Sequence, residues 1–281
     1  MNIAFVVNSL TNGGAERCVA NLANQMSLQK CNNIYVITGK RNDLEYELNK
    51  SVNRLCNIEY KHFFQDFFHI RKIARKFKID VFIAFDVYPN ALLCMTNILF
   101  KPKVIISERN SPNSVRISKL ARLVRFIFYR KADGYVFQTQ EAKEFYSEKI
   151  QRKSVIIHNP IKENLPVRLA NSKKEIVAVG RLVPQKNYKL LIDVFKDIHI
   201  IYPDYKLKIF GQGPLLSDLE TYVKEKELSN FVYFEGFCPD VHEQIKNSDV
   251  FVMTSDFEGM PNSLMEAMAM GFPVISTDCP A

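Results

Sequence analysis

Residues 249–277, DVFVMTSDFEGMPNSLMEAMAMGFPVIST, decide the fold. The run 249–254 (DVFVMT) reads as a strand buried on both faces, because apolar residues occupy it without alternation. A turn-forming stretch, Ser255 to Met260, follows at its carboxyl end. Pro261 suits a first helical turn, and the helix reads to a stop at Gly271 with Pro273 beyond it. A second apolar run, 273–277 (PVIST), then returns. Strand, helix and strand in this order make a parallel crossover unit. Two glutamates bracket the helix start: Glu258 in the loop and Glu266 in the second turn. Between them lie the amides of Gly259, Met260, Pro261, Asn262 and Ser263, at a helix terminus that carries positive partial charge. Taken alone, Glu266 could be an exposed helix charge, and Met265, Met268 and Met270 fit a core.

The same alternation extends outward over the chain. Strand candidates in the first half are 2–7, 34–38, 81–85, 103–107, 134–138 and 154–157, with helices at about 14–28, 68–78, 90–99, 115–131 and 140–149. Residues 159–174 (NPIKENLPVRLANSKK) lack an apolar period and read as a linker. The pattern restarts with strands at 175–179, 206–210 and 231–234 and helices at 187–201, 214–228 and 239–247. Alternating strands and helices predict an α/β protein with parallel sheets. The expected domains are 1–160 and 175–281, joined by 161–174. The second is expected to be truncated, since it stops four residues after a strand that a helix should cover.

The balance of 38 Lys+Arg against 30 Asp+Glu hides an asymmetry. Residues 1–164 hold 26 basic and 14 acidic residues, a net of +12, whereas the rest hold 12 and 16, a net of −4. The basic half favours an anionic surface or ligand. Six scattered cysteines form no C-x-x-C pair or metal-ligand spacing, which reads as reduced thiols in a cytosolic protein. No stretch of about 18 apolar residues predicts a membrane span, and MNIAFVVN lacks the basic start of a signal peptide.

Three further loops could hold a ligand. NSLTNGGAER (8–17) places Gly13 and Gly14 between a strand and a helix, where backbone N–H groups can approach an anion. It is not a G-x-G-x-x-G fingerprint, and a plain turn and cap is the competing reading. GRLVPQKN (180–187) puts Arg181 and Lys186 at the carboxyl end of a strand. Two cations five residues apart suit a diphosphate, Arg as a fork and Lys as a point charge; a solvated surface pair is the alternative. GQGP (211–214) is a tight strand-to-helix turn, with Pro214 expected at the first helical position.

Taken together, GGAER, VGRLVPQKN, IFGQGP, FEGF and EGMPNSLME resemble the family 4 retaining nucleotide-sugar glycosyltransferases, in order and spacing over the whole chain. The E-x7-E element with G-R-L-x-x-x-K upstream is the specific part. The resemblance implies a GT-B fold of two facing Rossmann-like domains, and a bacterial enzyme that extends lipid-linked or surface polysaccharides. It implies that Arg181 and Lys186 hold the donor diphosphate and offset charge on the leaving group. Glu258 would face the transferred sugar, Glu266 the ribose, and the amides of 259–263 the phosphate and sugar. Gly13 and Gly14 would close over the donor. No metal or other cofactor is expected. Relatives that carry a His after the strand KVIIS differ here, where Glu108-Arg109-Asn110 stands; Glu108 or Arg109 is a candidate for orienting the acceptor. The family also continues beyond residue 281.

Residues 114–131 and 68–78 read as basic amphipathic helices suited to an anionic membrane surface, on the inner face of the plasma membrane for a cytosolic enzyme. A core-facing helix with solvated charges is the competing reading. No nucleic-acid motif is present. The expected partners are therefore a nucleotide-sugar, UDP-linked on precedent alone, and a lipid-linked or glycan acceptor. The alternative function is a non-catalytic fragment that docks on membrane.

Overall fold

The structure is a computed structural model that describes residues 1–11, 13–39, 45–56, 58, 62–96, 102–109, 125, 127–169 and 173–279. It divides into two compact units, Met1–Asn159 and Pro160–Pro280.

The first unit is built on a parallel sheet of β1 (Asn2–Val6), β2 (Asn33–Thr38), β3 (Asn53–Cys56), β4 (Val81–Phe85), β5 (Lys103–Ser107), β6 (Gly134–Phe137) and β7 (Ser154–Ile156). The spatial order is β3-β2-β1-β4-β5-β6-β7. Its described helices are α1 (Gly14–Ser27), α2 (Phe63–Lys76), α3 (Val87–Thr96), α4 (Gln140–Glu144) and α5 (Glu148–Gln151). The unalternated strand sequences have a direct cause in β1. Ile3 and Phe5 pack with Cys18, Val19 and Ala23 of α1. Ala4 and Val6 point the other way, into a core with Ile70, Ile73 and Leu92 from α2 and α3. Both faces are covered, so successive residues must all be apolar.

The second unit repeats the scheme with β8 (Glu175–Val179), β9 (Lys206–Phe210), β10 (Val232–Gly236), β11 (Val250–Met253) and β12 (Val274–Ser276), in the order β10-β9-β8-β11-β12. Its helices are α6 (Tyr188–Ile201), α7 (Leu216–Glu225), α8 (Val241–Ile245) and α9 (Asn262–Ala269). Ile176 and Ala178 of β8 face α6 and α7. Val177 faces Ile245 of α8 and Ala267 of α9.

Several element boundaries differ from the sequence reading. β3 has no apolar run and exists through its pairing with β2, from Tyr35–Asn53 to Thr38–Cys56. The helix expected at 140–149 is two short ones, the first capped by the Thr139 hydroxyl, which accepts from the Ala142 N–H at 3.1 Å. Pro214 precedes α7 by two residues instead of opening it. Pro261 is the N-cap of α9, in extended backbone, and not its first helical residue. The stretch read as a linker is partly bound to the second unit. Arg168 N–H donates to Met270 O at 2.7 Å, Leu169 N–H to Lys246 O at 2.8 Å, and the Arg168 guanidinium to Ser248 O at 2.8 Å. Most of the 114–131 helix lies outside the described residues.

Candidate functional site

In a doubly wound sheet the ligand crevice opens at the carboxyl ends of the two strands where the order reverses. In the second unit those strands are β8 and β11. Their loops carry Arg181 and Lys186 on one side and Glu258 on the other, and hydrogen bonds tie the loops together. Asp256 N–H donates to Gln185 O at 2.9 Å, the Gln185 amide to Phe257 O at 2.8 Å, and the Asn187 amide to Asp256 Oδ1 at 2.8 Å. The Thr254 hydroxyl donates to Lys186 O at 3.0 Å. Sequence alone gives no sign of this stitching, which joins residues about seventy positions apart.

At the centre Lys186 Nζ donates to Glu258 Oε1 at 2.7 Å, the two side chains being 15% and 12% exposed. The lysine stem crosses Gly180. A Cβ there would lie 2.9 Å from Lys186 Cε, so a bare α-carbon clears its path. Arg181 is exposed, while its neighbour Leu182 is fully buried and donates its N–H to Gln212 O at 2.9 Å. That anchor fixes the backbone next to Arg181.

The GQGP turn supplies the anchor. A Cβ at Gly213 would meet the Leu182 carbonyl oxygen at 2.3 Å, and one at Gly211 would meet the Gly180 oxygen at 1.9 Å. Gly211 also has φ +143°. Two glycines are needed because two backbones pass in contact. The turn therefore shapes the loop that presents Arg181.

Two helices start at this crevice, α6 after Lys186 and α9 after Pro261, and neither has a side-chain cap. Gly259, Met260, Pro261, Asn262 and Ser263 are all half-buried along the second start. Helix starts of this kind favour anions. Glu266 departs from the picture of an exposed helix charge. It is 3% exposed; its Oε1 accepts from the Lys162 N–H at 3.1 Å, and its Oε2 lies 3.0 Å from His242 Nε2. Neither partner was visible in sequence, since a lone His in a short helix and a backbone amide far away leave no local signal.

In the first unit the reversal falls between β1 and β4. Gly13 is the N-cap of α1, and the Glu16 carboxylate folds back against it, within 1.9 Å of where a Cβ would stand. Gly14 is the first residue of α1. Asp86, just after β4, adopts φ +74° and lies 3.5 Å from the Asn8 amide. A non-glycine residue held in this region of backbone space is strained and concentrates at functional sites; sequence reading missed it.

Glu108 is buried and Arg109 half-buried, and both make contacts within the first unit. Glu108 is 3% exposed, with Arg125 Nη2 at 3.0 Å and the Tyr146 hydroxyl at 3.0 Å. Burial raises its pKa above the usual carboxylate range, and Arg125 opposes that rise. Arg109 lies over the Phe85 ring at 4.8 Å, donates to Cys18 Sγ at 3.2 Å and bonds the Asn159 side chain. Burial lowers its pKa.

Comparison with known proteins agrees with this architecture. The sequence model for Glycosyltransferase Family 4 matches residues 12–165, and that for Glycosyl transferases group 1 matches residues 160–281. An uncharacterized glycosyltransferase of Methanocaldococcus jannaschii is 32% identical over 238 residues, 75% of this chain and 59% of the relative, so the chain spans less than two thirds of that protein. A Campylobacter jejuni alpha-1,4-N-acetyl-D-galactosaminyltransferase, named for a diphospho-undecaprenol-linked substrate, is 28% identical over 282 residues, 95% of this chain and 77% of the relative. Among solved structures, HepE of Anabaena in complex with UDP and glucose superposes with a TM-score of 0.79 at 18% identity, covering 100% of this chain and 81% of that one. Sucrose-phosphate synthase from Thermosynechococcus elongatus gives 0.80 at 16% identity, with 99% and 82% covered. The Family 4 match spans more than half of the 281 residues, and with two Rossmann-like units of GT-B type the chain belongs to the family 4 glycosyltransferases.

Proposed function

We propose that the chain carries the donor site of a retaining, metal-independent glycosyltransferase. It moves a hexosyl or N-acetylhexosaminyl unit from a UDP-sugar to a lipid-linked or surface glycan. The observation that carries this reading is the Lys186–Glu258 pair at the β8/β11 crevice, beside Arg181 and two uncapped helix starts.

The residues divide the work by charge. As the bond from the anomeric carbon to the diphosphate breaks, negative charge collects on the leaving phosphate oxygens. The Arg181 guanidinium, the Lys186 ammonium and the α9 amides are carried by the loops of this one crevice, and positive charge there stabilises the charge that builds on the leaving group. Two cations do for the diphosphate what a divalent ion does elsewhere. Glu258, released from Lys186 as phosphate takes its place, accepts from sugar hydroxyls. Glu266 accepts from the ribose; with one protein partner on each oxygen, a carboxylate keeps further lone pairs for a diol.

Names of relatives support the acceptor class. One is an N-acetylgalactosaminyltransferase for a diphospho-undecaprenol substrate, and one solved neighbour is a lipopolysaccharide outer core galactosyltransferase. A lipid-linked acceptor calls for a membrane surface, and α2 offers one. Phe64 and Phe68 are 76% and 65% exposed, on a helix that also carries Arg71, Lys72, Arg75 and Lys76. The inner face of the plasma membrane, with its anionic lipids, fits that surface. Among the described residues no helix is long and apolar enough to cross a membrane.

The test is donor turnover. The full chain is incubated with UDP-linked hexoses and N-acetylhexosamines and a polyprenyl-diphosphate-linked glycan, with EDTA present. UDP release that needs the acceptor, survives EDTA and yields the α-anomer from an α-donor supports the reading. Binding of the chain to anionic vesicles without any UDP release would favour a docking module instead.

A further inference from the structure

Glu266 poses a physical problem that the donor site alone does not solve. It is a carboxylate at 3% exposure, and a buried charge needs strong hydrogen-bonding partners. From Lys162 it receives the backbone N–H. A side-chain partner is His242 on α8, 8% exposed, whose Nε2 lies 3.0 Å from Glu266 Oε2.

The geometry points to His242 as the positioning residue for Glu266, fixing the carboxylate in the orientation that reads the vicinal hydroxyls of the donor ribose. This rests on the ribose reading of Glu266 given above. The tautomer follows from the contacts. Nδ1 has no hydrogen-bond partner among the described residues, so a proton there would be a buried donor left unsatisfied. The proton therefore sits on Nε2 and is donated to Glu266. The imidazole is a rigid, buried ring with two side-chain torsions, and it closes one carboxylate oxygen from the α8 side while Lys162 closes the other. A diol binds through two hydroxyls at once, so it discriminates only against a carboxylate whose plane is fixed. The contact also ties three segments together, α8, α9 and the strap beginning at Pro160, at one buried point.

The experiment compares two nucleotides, UDP and 2′,3′-dideoxy-UDP, by calorimetric titration of the full chain. His242→Phe keeps the ring volume and removes the donor. It is expected to weaken UDP binding about tenfold, the scale of a lost charge-assisted hydrogen bond, and to leave dideoxy-UDP binding unchanged within error. His242→Gln restores an N–H near the Nε2 position and is expected to recover most of the UDP affinity. Loss of affinity for both nucleotides alike in His242→Phe would mean general loosening of the site and would overturn the proposal. Unchanged affinity for both would overturn it as well. Glu266→Gln separates this failure from that of the underlying reading. If Glu266→Gln abolishes the preference for UDP and His242→Phe does not, the ribose contact stands and the role of His242 falls. If Glu266→Gln leaves the preference intact, the ribose contact itself is wrong, and the proposal falls with it.

Discussion

At the scale of single residues, the two cations have unequal surroundings. Arg181 is exposed and Lys186 is held by Glu258. Replacing either by Ala is expected to weaken UDP binding by roughly ten- to a hundredfold, the range of a lost charge-assisted hydrogen bond. Glu258→Gln separates two roles in one residue. It removes the competitor for Lys186, so UDP binding should tighten by about threefold, on the scale of a partly exposed ion pair. Sugar transfer should nevertheless fall at least tenfold, because the acceptor of the sugar hydroxyls is weakened. A parallel loss of both would show that Glu258 merely props the loop. Glu108 behaves differently. Glu108→Ala leaves Arg125, 5% exposed, as a buried cation without its carboxylate. The expected cost is about 3 kcal/mol of stability, read as a lower denaturant midpoint, with UDP affinity changed by less than twofold. A variant of wild-type stability that fails only in acceptor use would support the acceptor-orienting role instead.

At the scale of elements, loop contacts decide where the charged groups point. Gly213→Ala would press a methyl group into the Leu182 backbone. It is expected to cost about 1–3 kcal/mol as overpacking and to lower UDP affinity by moving Arg181, although Gly213 carries no charge. On α2, the double change Phe64→Ser and Phe68→Ser is expected to reduce binding to phosphatidylglycerol vesicles by tenfold or more, since each buried Phe side chain is worth about 1.5–3 kcal/mol. Sedimentation with vesicles measures it, and undiminished binding would remove α2 as the docking face. Elements were legible in sequence wherever one cause acted locally. β4, β5, β8 and β9 run over the expected residues, because each buries an apolar stretch of at least three residues or an apolar face within five. β3 was not legible, since Asn53 to Cys56 becomes a strand only beside β2, helped by Arg54 donating to Thr38 Oγ1 at 3.0 Å. The start of α2 at Phe63 was missed for a related reason. Its aromatic first turn is a poor helix signal, and it is fixed by tertiary contacts such as the Tyr88 hydroxyl on buried Asp66 at 2.8 Å.

At the scale of the whole molecule, charge and topology tell one story. Two parallel sheets each reverse their strand order once, between β1 and β4 and between β8 and β11. The basic half belongs to the first unit, and the E-x7-E element belongs to the second. The places of the candidate site motifs at strand ends and helix starts were legible because strand, turn and helix start each leave a local pattern. Their connections were not. The pairing of Lys186 with Glu258, the seating of Glu266 on His242 and the inward turn of Glu108 arise from contacts between distant segments. The central claim is that the second unit holds a nucleoside-diphosphate site centred on the β8/β11 crevice. Calorimetric titration of the full chain with UDP, beside Arg181→Ala, tests it most directly. One UDP bound per chain, with affinity at least tenfold weaker in the variant, is the result predicted. Binding that is equal in both proteins, or absent from the unaltered chain, would contradict it.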